Sequence, residues 1–242
     1  MDIAKEIKKE KNLSVKTTFL SSYLISERFS PYFSKFYIKK NVTPNMITMH
    51  MIISGIIGAI LFAMPNIYVK ILGAIFIHLW FILDCSDGEV ARYTKTFSKF
   101  GKELDFMAHL INHPLFGLAL FLSLVQLERY HFYLLAVLIM ISNLLDYLNR
   151  NVIAMKTIID LKEPSDGHVS QKSEKWTLKQ KIAFITDIFT IYPNFILFGV
   201  IIYFVDFLLG SHILLGYIIM NIFLTSGLML LVSIRLLKKF YH

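Results

Sequence analysis

The chain of 242 residues contains a single cysteine, Cys85, and only 17% charged residues. One cysteine excludes an intramolecular disulfide, so thiol usage does not identify the redox compartment. Such a low charge content in a chain that is 55% hydrophobic excludes an ordinary soluble domain, in which about a quarter of the residues are charged. The sequence also lacks internal repeats and low-complexity tracts. We therefore expect a bilayer protein.

Long apolar stretches take up most of the chain. A helix that crosses a bilayer needs about 20 predominantly apolar residues, and the sequence offers six such stretches. They cover residues 46–64, 67–83, 104–125, 131–149, 191–209 and 211–234. We predict an all-α, polytopic membrane protein with six transmembrane helices in one domain, residues 46–242, preceded by a cytoplasmic tail and juxtamembrane helix in residues 1–45.

The first 45 residues are too polar to contain the apolar core of a cleavable signal, so we expect the first transmembrane helix to serve as a retained insertion signal. A lysine-rich tail, residues 1–17, is followed by aromatic and aliphatic residues interleaved with basic and hydroxyl ones over residues 18–40. This pattern predicts an interfacial amphipathic helix pair, divided near Pro31, in the headgroup plane. A packed juxtamembrane segment without a substrate role is the alternative.

Basic residues are distributed unevenly between the two sides of the expected membrane. Of the 25 Lys and Arg residues, all but Lys70 and Arg129 belong to the two terminal segments or to the connections after the second and fourth stretches. The positive-inside rule therefore places both termini and the connection after the second stretch in the cytoplasm. The net charge of +8 then reflects topology and attraction to anionic membrane lipids, and nucleic acid is not an expected partner.

Acidic and small residues follow directly after the second apolar stretch. Asp84, Asp87, Gly88 and Ala91 recur at intervals of three and four residues, which places them on one helical face. The two small residues let a ligand approach the backbone between the carboxylates. A charged residue at the centre of a bilayer costs about 2.5 to 3.5 kcal/mol on insertion scales, so we expect a cation to compensate these acids.

A second face of this kind follows at the start of the third stretch. Gly101, Asp105 and His109 lie at intervals of four residues and spread over about 80° of a helix. The two faces together predict a carboxylate-lined cleft that opens to the cytoplasm. Carboxylate oxygens suit Mg²⁺ or Mn²⁺, and substrate phosphates commonly complete a Mg²⁺ site. The cleft therefore has the composition that phosphoryl transfer needs.

The spacing of these residues is D-x2-D-G-x2-A-R-x8-G-x3-D, and in it the chain resembles the CDP-alcohol phosphotransferases, also called CDP-alcohol phosphatidyltransferases. The resemblance extends to Pro44-Asn45 and Thr48 at the start of the first span and to the six-span layout. The seven positions of the spacing are Asp84, Asp87, Gly88, Ala91, Arg92, Gly101 and Asp105.

The resemblance implies transfer of a phospho-alcohol or phosphatidyl group from a CDP-linked donor to an acceptor hydroxyl, with release of CMP, in the synthesis of a phospholipid or other lipid-linked product. It implies two Mg²⁺ or Mn²⁺ ions held by Asp84, Asp87 and Asp105. The acceptor is a lipid or a small alcohol, residues 46–242 are the catalytic domain, and a homodimer is implied. The CDP moiety is expected at Gly88, Ala91, Arg92, Gly101, Asn45 and Thr48.

His109 stands where the family signature has its last aspartate. We expect it to replace that aspartate as general base for the acceptor hydroxyl, because the reference pKa of histidine, about 6.5, lies nearer cytoplasmic pH than the value of about 3.9 for aspartate. Imidazole is a poorer Mg²⁺ ligand, so one metal site should be weaker or more tolerant of Mn²⁺. The alternative is a packed, hydrogen-bonded histidine, in an enzyme with another base or in a family member that has lost catalysis.

Other ionisable residues give weaker signals. His113 precedes Pro114 and can mark a kink in the third span, while Asp146 and Asp187 are as compatible with interfacial positions as with acceptor binding. A transporter is the competing function, because intramembrane acids also line ion pathways. A transporter predicts polar residues in several spans, whereas the last two carry only Asp206 as an acid.

Overall fold

The computed structural model describes residues 2–14, 27–162, 186 and 189–240, and within this part the regular structure is helical, without strands. The sequence folds into helices because its long apolar runs contain few residues that interrupt a helix. The helices are α1 (Ile3–Ser14), α2 (Glu27–Lys39), α3 (Pro44–Ala63), α4 (Ile67–Thr94), α5 (Gly101–Val125), α6 (Phe132–Lys162), α7 (Tyr192–Leu209) and α8 (Ile213–Phe240).

The helices α3 to α8 are each long and apolar enough to cross a membrane. This confirms the predicted all-α fold with six spans. Two helices extend well beyond the apolar stretches that predicted them: α4 continues past residue 83 to Thr94, and α6 continues past residue 149 to Lys162. The acidic residues after Leu83 are therefore held on the same rigid helix as the second span.

Local sequence signals explain where the helices near the site begin and end. Pro44 occupies the first turn of α3, where its missing N–H has no helical partner to lose. Asn66 caps α4, because its side chain accepts hydrogen bonds from the backbone N–H groups of Tyr68 and Val69. At the other end of α4, Lys95 adopts a left-handed conformation with a φ of 55°, which turns the chain towards α5.

Two glycines allow α3 and α4 to pack backbone to backbone. A Cβ atom on Gly73 would lie 2.3 Å from the backbone nitrogen of Phe62, and one on Gly58 would lie 2.9 Å from the backbone nitrogen of Ile77. Trp80 and Phe116 are buried in the core between these helices and α5. This close packing places the end of α4 beside the starts of α3 and α5.

The amphipathic helix α2 packs against α4 and exposes three aromatic side chains, Phe29, Tyr32 and Phe36. The predicted division near Pro31 is not found, because α2 continues through this residue. Pro31 lies early in the helix and removes a single intrahelical donor, which the tertiary contacts of α2 offset. Residues 18–26, the first part of the predicted helix pair, lie outside the described residues.

The predicted N-terminal tail contains a further helix, α1, which packs on α2. Lys35 of α2 pairs with Asp2 at 2.8 Å, and this hydrogen bond holds the pKa of the Asp2 carboxyl below its usual value. The hydroxyl of Tyr93 at the end of α4 donates to Glu6 at 2.8 Å. Alternating lysines and apolar residues therefore form an amphipathic helix here, with Ala4 and Ile7 buried.

The end of the bundle away from Pro44 contains buried polar contacts. Lys70 donates to the carbonyl of Phe62 and to the hydroxyl of Ser123, both at 2.9 Å. Asp206 is fully buried and accepts a hydrogen bond of 2.5 Å from Ser211 and another from Tyr130. Lys70 and Asp206 are therefore buried with hydrogen-bonding partners, and these hydrogen bonds connect neighbouring helices at this end of the bundle.

Candidate active site

A cleft of about 460 Å³ lies where the start of α3, the end of α4 and the start of α5 meet. Its walls include Asp87 and Asp105. They also include all six residues at which the sequence predicts the CDP moiety: Asn45, Thr48, Gly88, Ala91, Arg92 and Gly101. Residues from three helices, distant in sequence, thus line one cavity.

A cluster of two carboxylates and one imidazole lies beside this cleft. Ligand atoms of Asp84, Asp105 and His109 are all within 4.8 Å of one another. His109 Nε2 lies 3.2 Å from Asp84 Oδ1 and 3.4 Å from Asp105 Oδ1. Asp105 and His109 share a face of α5 because they are four residues apart, and Asp84 reaches them from α4. The cluster combines negative charge with a nitrogen donor.

Asp87 is not part of this cluster. Its Oδ2 atom accepts a hydrogen bond of 2.7 Å from the Thr48 hydroxyl on α3, which also lies 3.2 Å from the carbonyl of Pro44. The predicted metal-binding aspartates are thus divided: Asp84 and Asp105 lie with His109, whereas Asp87 lies against Thr48 in the cleft wall. The sequence spacing placed Asp87 on the correct helix face but could not reveal its partner on α3.

The cleft is also lined by cations, which are Arg92, Lys99 and Lys102. The guanidinium of Arg92 lies against Gly88, since Nη1 is 3.1 Å from the position of a Cβ atom there. Gly88 therefore makes room for Arg92, and both residues line the cleft at which the CDP moiety is predicted. Asn45 Nδ2 donates to the Ser98 hydroxyl at 3.1 Å and joins α3 to the connection before α5.

Behind His109, a row of hydrogen-bonding side chains continues into the bundle. His109 Nδ1 lies 3.1 Å from His113 Nε2, and His113 Nδ1 lies 2.7 Å from Asp146 Oδ2 on α6. Arg150, one turn further along α6, places Nη2 3.1 Å from His113 Nε2 and Nε 3.5 Å from Asp146 Oδ2. From the sequence alone, His113 and Asp146 are only weak candidates for the site. Asp187 lies outside the described residues.

One sequence signal could have identified this extension. Gly101, Asp105, His109 and His113 continue the same four-residue interval, so the polar face of α5 does not end at His109. Asp146 and Arg150 show the same interval on α6. What the sequence could not supply is which faces of α5 and α6 meet.

Aromatic rings enclose the two histidines. Trp80 contacts both rings edge-on, with centroid distances of 5.6 Å to each. Tyr192 of α7 stacks on His113 with a centroid distance of 4.0 Å, and its hydroxyl donates to the His113 backbone carbonyl. The imidazoles are therefore confined between α4, α5 and α7, with His109 Nε2 directed towards the carboxylates.

The fold and this site define an integral membrane protein of six spans with a charged ligand cleft at one end of the helix bundle. The family model for CDP-alcohol phosphatidyltransferase matches residues 41–223, and the chain belongs to this family. The resemblance found in the signature is thereby confirmed. Comparison with curated proteins gives no match.

Family membership determines the general class of reaction. Members transfer a phosphate-containing group from a CDP-alcohol to an alcohol acceptor, and the family is generally dependent on divalent metal. The transporter alternative loses its basis, because the match covers five of the six spans in full and part of the last. The acids at the end of the second span and the start of the third, which suggested an ion pathway, lie within the matched residues.

Proposed function

We propose that this protein transfers a phospho-alcohol or phosphatidyl group from a CDP-linked donor to an acceptor hydroxyl and releases CMP, in the synthesis of a phospholipid or lipid-linked product. The supporting observation is that one cleft is lined by all six expected CDP-binding residues and borders the cluster of Asp84, Asp105 and His109. Its volume, about 460 Å³, is within the range of small-molecule sites, about 300 to 1,000 Å³.

The donor set fits a divalent cation. Ligand atoms of the Asp84 and Asp105 carboxylates and of the His109 imidazole lie within 4.8 Å of one another. The two carboxylates repel each other, and a cation bound between them relieves that repulsion. Asp84, Asp87 and Asp105 are the residues that would hold Mg²⁺ or Mn²⁺, with two ions in our proposal. Bound there, the ions would supply charge stabilisation to the attacking and leaving oxygens. The imidazole in the cluster favours Mn²⁺ over Mg²⁺.

The basic residues of the cleft orient the donor. Arg92 offers a planar set of N–H donors that matches phosphate oxygens, and Lys99 and Lys102 add positive charge. The first turn of α5 adds backbone N–H groups near Gly101, where helix N-termini favour anions. These groups would hold the diphosphate with its distal phosphorus towards the carboxylates.

His109 is the general base in this proposal. The acceptor oxygen forms a bond to the phosphorus distal to cytidine while the bond from that phosphorus to the bridging oxygen breaks, and CMP leaves with the electron pair. His109 Nε2 takes the proton of the acceptor hydroxyl. Coordination of a metal by the same nitrogen is the competing role, because one lone pair cannot do both at once.

The distribution of basic residues supports a cytoplasmic position for the cleft and both termini. A cytoplasmic cleft at the end of the spans admits the water-soluble CDP group from one side and a lipid from the membrane. Whether the lipid is donor or acceptor depends on which alcohol carries CDP. The homodimer implied by the family resemblance stays a prediction.

The test is turnover by the purified chain in lipid nanodiscs. We would incubate it with CDP-diacylglycerol or CDP-linked small alcohols, a panel of acceptors, and Mg²⁺, Mn²⁺ or chelator, and follow CMP and product mass. We expect CMP release with one donor class, dependent on metal and absent in a variant with Asp84→Asn and Asp105→Asn. Absence of CMP from every donor would support the loss of catalysis instead.

A further inference from the structure

Behind the cleft, four side chains form a continuous row of polar contacts: His109, His113, Asp146 and Arg150. We propose that Asp146 and His113 position His109 by keeping a proton on its Nδ1 atom, so that the lone pair of Nε2 faces Asp84 and Asp105. His113 and Asp146 are positioning residues. The proposal rests on the proposed function of this site.

Asp146 determines which nitrogen of His113 carries a proton. Its Oδ2 atom lies 2.7 Å from His113 Nδ1 and 3.5 Å from Arg150 Nε. A carboxylate oxygen accepts hydrogen bonds, and the neighbouring Arg150 offers donors only. His113 Nδ1 therefore carries a proton and donates it to Asp146.

Arg150 opposes a second proton on His113. Its Nη2 atom lies 3.1 Å from His113 Nε2 and 3.3 Å from His113 Nδ1, so the positive guanidinium lies beside the ring. A neutral imidazole carries one proton, and in His113 the contact with Asp146 places it on Nδ1. His113 Nε2 is therefore the unprotonated nitrogen, and His113 is a neutral ring with one donor and one acceptor.

His113 in turn determines which nitrogen of His109 carries a proton. Its Nδ1 atom lies 3.1 Å from the accepting Nε2 of His113, so Nδ1 must be the donor. The remaining nitrogen, Nε2, lies 3.2 Å and 3.4 Å from the oxygens of Asp84 and Asp105. With Nδ1 protonated, Nε2 of the neutral ring carries the lone pair that a base or a metal ligand needs.

Without His113, the proton of His109 would move from Nδ1 to Nε2. The carboxylates of Asp84 and Asp105 accept hydrogen bonds, so a neutral His109 with no acceptor at Nδ1 would place its proton on Nε2. That proton would block the lone pair. Asp84 and Asp105 favour a proton on His109 Nε2, and the row of His113 and Asp146 counteracts this by accepting the proton of Nδ1 in a hydrogen bond.

The direct test is nitrogen NMR of ¹⁵N-histidine protein saturated with Mg²⁺, because protonated and bare ring nitrogens differ in chemical shift. The chain has eight histidines, so the His109 signals are identified by their loss in His109→Asn. We expect protonated Nδ1 and unprotonated Nε2 in the wild type. A His109 ring protonated at Nε2 in the wild type overturns the proposal.

The informative variant is His113→Phe, which keeps an aromatic ring between Trp80 and Tyr192 but removes both nitrogens. We expect it to shift the His109 proton to Nε2 and to lower kcat by about 10- to 100-fold with little change in the donor KM, as for other loss of supporting hydrogen bonds. An unchanged His109 spectrum in this variant overturns the proposal.

The matched control is Tyr192→Phe. It removes a buried hydroxyl that donates to the His113 backbone carbonyl but leaves the stacked ring and the nitrogen row in place. We expect its His109 spectrum and kcat to remain within about threefold of the wild type, in contrast to the His113 variant. Equal effects of the two variants would assign His113 a packing role and overturn the proposal.

A second variant keeps the test decisive if His113→Phe does not fold. Asp146→Asn retains the shape of the side chain but removes its negative charge. We expect this variant to contain a smaller population of His109 protonated at Nδ1. An unchanged population overturns the proposal. The spectra do not depend on turnover. Absence of CMP release with the expected spectra would count against the proposed function alone.

Discussion

The Thr48 hydroxyl on α3 donates a hydrogen bond of 2.7 Å to Asp87 Oδ2 on α4. This contact joins the start of the first span to one of the three signature aspartates and orients its carboxylate in the cleft wall. We expect Thr48→Val to lower kcat/KM for CMP release by about tenfold or more, because Asp87 loses the group that orients it.

A control on the same helix separates this effect from general damage to α3. Ser54 is buried, and its hydroxyl donates to the carbonyl of Phe76 at 3.0 Å, away from the cleft. We expect Ser54→Ala to leave kcat/KM near the wild-type value. A similar loss in both variants would show that helix packing, and not Asp87, is responsible.

His109 stands where the signature has its last aspartate, and variants at this position test whether the histidine takes over the role of that aspartate. We expect His109→Ala to reduce CMP release by about 100-fold or more, the usual range for removal of a general base. His109→Asp recreates the family signature, and we expect it to retain activity and to shift the metal preference towards Mg²⁺, since oxygen ligands suit that ion. If the activity of His109→Ala is within a few fold of wild type, His109 is not the general base.

Metal binding can be measured separately from turnover. Because Asp84 and Asp105 lie with His109, we expect Asp84→Asn and Asp105→Asn each to weaken Mn²⁺ binding, measured by electron paramagnetic resonance of the free ion, more than Asp87→Asn does. Glu103→Gln is the control, because Glu103 lines the cleft but is outside the cluster. Equal weakening by all four variants would indicate only a general charge effect.

The close packing of α3 and α4 predicts a stability effect. A methyl group at Gly73 would meet the backbone of Phe62 at 2.3 Å, and backbone cannot move aside as a side chain can. We expect Gly73→Ala to destabilise the protein by about 1 to 3 kcal/mol or more, measured as thermal unfolding in detergent. Gly216→Ala adds the same methyl group to α8, where no atom of the described residues lies within 4 Å, and should not destabilise the protein.

The sequence predicted the spans and the cleft because both depend on short-range periodicity. Apolar runs of sufficient length identify membrane helices, and intervals of three and four residues identify shared faces. These rules correctly placed Asp87, Gly88 and Ala91 on the face of α4 that lines the cleft. They needed no knowledge of which helices are neighbours.

The partners of the polar groups could not be predicted in the same way. The contacts of Asp87 with Thr48 and of His113 with Asp146 join residues that are 39 and 33 positions apart. Such contacts depend on the rotation and depth of two helices relative to each other, which small residues such as Gly73 determine. A sequence pattern fixes the face of one helix and leaves this pairing open.

The hydroxyls of Ser30 and Ser34 on α2 donate to the two carboxylate oxygens of Glu89, at 2.5 Å and 2.6 Å, one residue after Gly88. Shortening the chain to residues 46–242 would keep nearly all of the first span and the other five whole, but would remove both serine donors from the buried carboxylate of Glu89. The smallest portion of the chain suitable for expression and reconstitution therefore begins before α2, and a boundary drawn at the first span would cut through a cooperative unit.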